Sequence, residues 1–163
     1  MSAYTTTTIS ILAENHSGSL SSIAGLFSSR GYNISSLTVA ETEDPSIARM
    51  TIVTAGDDDI IEQIVKQLNK LIDVIKVVDF KEDPVVEREL LLLRVDSTKS
   101  ARHEIIEIAN LFKAGVASVS TGSITLEFMG TTQQLDDLIL MLKPYGIKET
   151  VRSGAVAIAK SRR

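Results

Sequence analysis

The amino-acid sequence predicts an α+β chain of two ferredoxin-like βαββαβ modules, residues 1–80 and 85–163. Three observations carry that expectation. Strand-like segments alternate with segments whose apolar residues recur at helical spacing. The order strand, helix, strand, strand, helix, strand occurs twice. A short polar break, Lys81-Glu82-Asp83-Pro84, separates the two runs. Each module is expected to be an antiparallel sheet with its helices on one face.

The elements follow in order. Thr6 to Ala13 is β-branched and nearly uncharged, which predicts a strand. From Gly18 to Arg30, Leu20, Ile23, Ala24 and Phe27 recur at helical spacing, and Gly31 stands at the stop position. Tyr32 to Glu41 is a second strand whose apolar residues change phase between Ile34 and Leu37, predicting a bulge near Ser35–Ser36. Asp44–Pro45 centres a turn, and Arg49 to Thr54 is a third strand. Asp57, Asp58 and Asp59 suit the positive end of a helix dipole, and Ile60, Ile61, Ile64, Leu68 and Leu71 give that helix its stripe. Val74 to Val78 is a fourth strand.

The second run begins with Glu89 to Val95, a buried strand preceded by a salt-bridged surface over Glu87, Arg88 and Glu89. Arg102 to Phe112 is a helix, and Val116–Ser120 with Ile124–Met129 is a hairpin across Thr121-Gly122-Ser123. Thr131 with Gln134 matches a capping box ahead of Leu135, Leu138, Ile139 and Leu142. Pro144 and Gly146 end that helix, and Ile147 to Ala159 is a last strand interrupted at Gly154.

Composition narrows the function classes. Apolar residues make up 44% of 163, enough for packed cores. The chain has no cysteine, which removes disulfides, thiolate metal sites and a cysteine nucleophile. With His16 and His103 far apart in sequence, no metal is expected. No apolar run reaches the roughly 20 residues that span a bilayer. The start, MSAYTTTTIS, lacks a basic region followed by an apolar block, so the expected location is cytoplasmic, with no membrane partner. Residues 1–80 hold five Lys and Arg against ten Asp and Glu, which argues against a nucleic-acid surface. The basic end, AKSRR, reads as a solvated tail.

One segment carries chemistry. The first strand runs into the first helix through Asn15-His16-Ser17-Gly18. The first amides of a helix lack internal acceptors and lie at the positive end of its dipole. A carboxylate there gains roughly 0.3–1 kcal/mol, and up to ~2 kcal/mol when partly buried. Gly18 admits close approach, and the Asn15 amide both donates and accepts. The residues alone also fit a plainer role, in which Asn15 and Ser17 cap the helix and Gly18 supplies a turn.

The chain also resembles a known family. The blocks that carry the likeness are the N-x-S-G-x-L turn, LFSSRGYNI, SLTVA, and the Asp-Pro hairpin followed by RMTIV. QIVKQLNKLIDVIKV, VERELLLLRV and RSGAVAI extend it. They are similar to the regulatory (small) subunit of acetohydroxyacid synthase, or acetolactate synthase. The resemblance implies that residues 1–80 form an ACT amino-acid-binding domain and residues 85–163 a C-terminal ferredoxin-like domain. It implies a non-catalytic subunit that activates a catalytic large subunit and confers feedback inhibition by valine, with leucine or isoleucine as other effectors. Thiamine diphosphate, Mg and FAD would belong to that catalytic partner, and this chain would bind no cofactor. The partner joins pyruvate to pyruvate or 2-oxobutyrate in branched-chain amino acid synthesis.

The same resemblance implies a homodimer with the effector between protomers. Asn15 would hold the polar end of the amino acid. Ser17, Gly18 and neighbouring amides would receive the carboxylate, and Leu20 would border the side chain. Asn33 and Ile34 of the other protomer would close the pocket, with Ala40 and Gln63 near the same interface. His16 stands where the family often has an acidic or other polar residue. Near the end, VRSGAVAIAKS departs from the family's usual alanine before Arg-Ser-Gly and lacks a following glycine.

Other functions meet specific obstacles. A stand-alone ACT sensor of another enzyme shares the first module. An RNA-binding module of the same strand order stacks bases on aromatics of its first and third strands. TTTISILA and ARMTIVT contain none. An acylphosphatase-type enzyme needs an arginine in the first loop, which here reads NHSGS.

Overall fold

The structure is a computed structural model that describes residues 5–81, 84–98 and 100–161. The break residues Glu82 and Asp83 lie outside the described residues, as do Met1–Tyr4 and Arg162–Arg163. The chain forms two compact units, residues 1–86 with 155–163, and residues 87–154.

In the first unit, strands β1 (Thr5–Glu14), β2 (Ile34–Glu41), β3 (Ile47–Gly56) and β4 (Val74–Asp79) form a sheet in the order β2-β3-β1-β4. All its pairings are antiparallel. Helices α1 (Ser19–Ser29) and α2 (Asp58–Leu68) pack on one face. Alternation explains the layering, since side chains of successive strand residues point to opposite faces. Ile9, Ile11, Ala13, Met50 and Ile52 meet Ile23, Phe27, Ile61, Ile64 and Leu68 in one core. Gly31, at φ +69°, ends α1, and Tyr32 N–H then donates to Phe27 O at 2.9 Å. Asp57 caps α2 through its side chain, which accepts from Ile60 N–H. The expected bulge is present, because the β2–β3 register shifts between Ile34 and Ser36.

The second unit contains most of β5 (Val85–Asp96), then α3 (Arg102–Phe112), β6 (Gly115–Val119), β7 (Ser123–Gly130), α4 (Thr132–Leu142) and β8 (Ile147–Arg152). Its strand order is β6-β7-β5-β8, again antiparallel. Leu91, Leu93 and Val95 alternate with exposed neighbours and join Ile105, Leu126, Leu135 and Leu138 in the core. Thr131 and Gln134 close the capping box ahead of α4.

The last strand divides at Ser153–Ala155, with Gly154 at φ +84°. Its second piece, β9 (Val156–Ala159), belongs to the first unit, although the sequence reading places it in residues 85–163. Ala155 and Ala157 are the buried residues of this segment, and Ala155 N–H donates to Ser36 Oγ at 3.3 Å. Lys160 N–H donates to Pro84 O, just before β5, the strand with which β9 pairs. Small residues at 155 and 157 let the backbone approach the sheet, a tertiary requirement that strand periodicity does not reveal.

Candidate functional site

The turn between β1 and α1 is held at both ends. Core side chains Ile11 and Ala13 fix the end of β1. Asn15 N–H donates to Ser46 O at 2.7 Å. Its side-chain amide donates to Pro45 O at 2.8 Å and to Glu41 Oε1 at 3.2 Å. Both N–H donors are therefore spent on the β2–β3 hairpin, and the amide oxygen is the group suited to a ligand ammonium. Ser19 is buried and donates through Oγ to Glu14 O at 2.7 Å, which closes the turn from beneath.

Gly18 is the N-cap of α1, at φ +109° and ψ −25°. A Cβ there would meet no atom of the described residues within 4 Å, so space is open but the backbone sits in the left-handed region. Among the described residues no side chain caps α1. The plain capping role open to Asn15 and Ser17 is thus not what these residues perform, since Asn15 is committed to the hairpin. Ser19 N–H donates to His16 O at 3.3 Å, and the amides of Leu20 and Ser21 have no side-chain acceptor among the described residues, an arrangement suited to a carboxylate. Leu20, on the first turn, is 43% exposed and offers an apolar wall beside those amides.

The other expected residues lie elsewhere on the unit. Asn33 is exposed, and its carbonyl accepts from Thr54 Oγ1 at 2.6 Å. Ile34 pairs with Thr54, which is opposite Thr7, whereas Glu14 is opposite Ile47. Seven strand residues at ~3.3 Å each separate the two ends, or about 23 Å. Gln63 accepts from Tyr32 Oη at 3.3 Å and so belongs with Asn33 and Ile34. Ala40 is opposite Arg49, one position before the Glu41 that binds Asn15. One chain thus brings Asn15, Ser17, Gly18 and Leu20 together, with Ala40 toward the same end of the sheet. Asn33, Ile34 and Gln63 lie at the other end.

The partners of this turn come from far along the chain and leave no local signal in the sequence. Glu41 and Pro45 hold Asn15 from 26 and 30 residues away. His16 Nε2 lies 3.0 Å from Asp73 Oδ1 and 3.8 Å from Glu14 Oε2, and Nδ1 lies 3.1 Å from Ser17 O. The hydrogen bond to Ser17 O and the one to Asp73 hold the His16 pKa above its ordinary value. Glu14, His16 and Asp73 thus place ligand-capable atoms within 4.8 Å of one another, a clustering in space that the sequence spacing does not show.

The second unit corrects another expectation. Glu89 is salt-bridged, but it is buried and not on the surface, at 5% exposure. Arg152 Nε and Nη2 grip its two carboxylate oxygens at 2.9 and 2.8 Å, and Nη1 reaches Asp136 Oδ1 at 2.6 Å. The arginine of the RSG block is therefore a structural clamp between β5, β8 and α4.

Comparison with known proteins supplies the family. The model described as "AHAS small subunit-like ACT domain" matches residues 9–76, and that described as "Small subunit of acetolactate synthase" matches residues 88–161. An acetolactate synthase small subunit of Mycolicibacterium smegmatis is 48% identical over 158 residues, covering 97% of this chain and 93% of that protein. A probable acetolactate synthase small subunit of Archaeoglobus fulgidus is 47% identical over 153 residues, covering 94% and 96%. The crystal structure of an acetolactate synthase small subunit from Thermotoga maritima superposes with a TM-score of 0.86 at 34% identity, covering 98% and 99% of the two chains. Among the described residues, no helix is long and apolar enough to cross a membrane.

Proposed function

The chain belongs to the acetolactate synthase small-subunit family, and from this we propose that it is the non-catalytic regulatory partner of a catalytic large subunit, activating it and conferring inhibition by valine. The thiamine diphosphate, magnesium and FAD of the reaction would be held by the large subunit. The observation that carries the effector reading is the separation of two half-sites on one chain. The amide-rich corner at Gly18 lies at one end of the sheet, and Asn33 with Ile34 at the other.

A homodimer joins them. β2 is an edge strand, so its outer hydrogen-bonding groups are available to a second chain. A two-fold axis makes the same contact occur twice, each patch meeting the other's complement. Antiparallel apposition of two β2 edges brings the Ile34 end of one protomer toward the Glu41 end of the other, where Asn15 is tied. Valine then has amides for its carboxylate, the Asn15 oxygen for its ammonium, and Leu20 with the partner's Ile34 around its isopropyl group. Charge-assisted hydrogen bonds at about 1.5–3 kcal/mol each and a buried side chain at about 1.5–3 kcal/mol suffice for a millimolar or tighter Kd, which needs about −4 kcal/mol. Because the ligand bridges protomers, it changes how they pack, and a coupling of about 1–3 kcal/mol transmits inhibition.

The test is acetolactate formation by a mixture of this protein and the large subunit, with valine titrated in. Gly18→Asp places a carboxylate against the anion corner and should abolish inhibition while activation persists. Gly18→Asn, which tolerates positive φ without adding charge, should retain most of it. Wild-type valine sensitivity in Gly18→Asp would overturn this placement of the effector.

A further inference from the structure

We propose that the outward face of the first sheet, beneath β9, holds a second small-molecule site, for a short monocarboxylate that lacks an ammonium group, such as a 2-oxo acid. Register places the residues. Arg49 on β3 and Lys76 on β4 are both opposite Leu12 on the central strand β1. Because Ile11, Met50 and Val77 face the helices, these three neighbours face the other way. Arg49 and Lys76 therefore stand in one row, two strand spacings or about 10 Å apart, within reach of a common oxyanion through their long side chains.

Neither cation has an anionic partner among the described residues. Arg49 donates to Ser10 Oγ at 3.0 Å, and among the described residues no carboxylate lines the cavity between the two. That cavity measures about 200 Å³. It is smaller than the ~300–1,000 Å³ of sites for drug-sized ligands, which limits the occupant to a few heavy atoms. Leu12, Val78, Phe80 and Ile158 give it apolar walls. Two uncompensated cations and one hydroxyl at an apolar pocket select a carboxylate with a short hydrocarbon tail. They disfavour an amino acid, whose ammonium would face like charges with only Ser10 to accept from it. This site is complete within one chain and does not rest on the valine reading.

The experiment is a calorimetric or NMR titration of the full chain with 3-methyl-2-oxobutanoate, the 2-oxo analogue of valine. Saturable binding is expected, weakened by added salt and not displaced by valine. Lys76→Met, at an exposed position, and Arg49→Gln should each weaken it at least tenfold, the equivalent of one charge-assisted hydrogen bond. Gly18→Asp should leave it unchanged, which separates this site from the corner at α1. Absence of saturable binding overturns the proposal. So does equal affinity in the wild type and Lys76→Met, displacement by valine, or loss of binding in Gly18→Asp.

Discussion

The His16 ring faces oxygen acceptors from both nitrogens, Ser17 O on one side and the Asp73 and Glu14 carboxylates on the other. The charged imidazolium satisfies both sides, so folding raises its pKa. A raised folded-state value means the interaction contributes fully below the unfolded value of about 6.5 and is lost as pH rises through the folded value. The tie between the turn and Asp73, just before β4, should thus weaken above about pH 6.5. Asp73→Asn should lower the His16 midpoint, read from its ring protons by NMR across pH 5 to 9. An unchanged midpoint would mean Asp73 does not hold the ring. The same corner depends on Asn15, whose donors serve the hairpin. Asn15→Asp keeps the size but turns the donors into acceptors beside Glu41 and Pro45 O. It should loosen the hairpin as well as impair valine inhibition, seen as faster amide exchange over residues 41–46.

At the level of elements, the caps and the buried ion pair do most to specify local geometry. Thr131 accepts from Gln134 N–H at 3.3 Å while Gln134 Oε1 accepts from Thr131 N–H at 2.9 Å. Thr131→Ala should cost about 1 kcal/mol in denaturant unfolding. Arg152→Met should cost more, on the order of 2–3 kcal/mol, because it leaves Glu89 buried without its counter-ion, with the Thr132 hydroxyl donating to it at 3.3 Å. A fully buried pair loses ~3–5 kcal/mol, and the 31% exposure of Arg152 reduces that. Adding Glu89→Gln should restore part of the loss, since removing both charges removes the desolvation penalty. Strict additivity of the two substitutions would show that the residues do not act as a pair.

The molecule as a whole depends on chain order that is not domain order. Residues 155–161 leave the second unit and pack with the first, where β9 lies against β1. Truncation after Gly154 should uncover the outward face of the first sheet. Hydrogen exchange should then accelerate in β1 and β3 but not in β7, whose core is Leu126, Phe128 and their neighbours. Equal protection in β1 with and without the segment would show that β9 contributes nothing to that face. The proposed dimer belongs to this scale too. Asn33→Ala should weaken valine inhibition through the protomer boundary even though the Ile34 end of the sheet, next to Asn33, is about 23 Å from the Glu14 end that leads to Gly18 in its own chain. Undiminished inhibition would place the pocket within one protomer.

Strands, helices and the turn at Gly18 were legible because they arise from local chemistry. Alternation gives Ile9 and Ile11 to the core, helical spacing gives Ile23 and Phe27, and the capping box at Thr131 is written in four consecutive residues. The family blocks named the candidate residues for the same reason, as contiguous motifs. Long-range pairing was not legible. Asn15 with Glu41, His16 with Asp73, Glu89 with Arg152, and Arg49 and Lys76 opposite Leu12 are set by sheet register, which joins residues tens of positions apart. The fate of the last strand was hidden likewise. Val156 to Ala159 reads as β-structure, but which sheet it covers depends on packing of Ala155 and Ala157 against a surface that exists only after the first unit has folded.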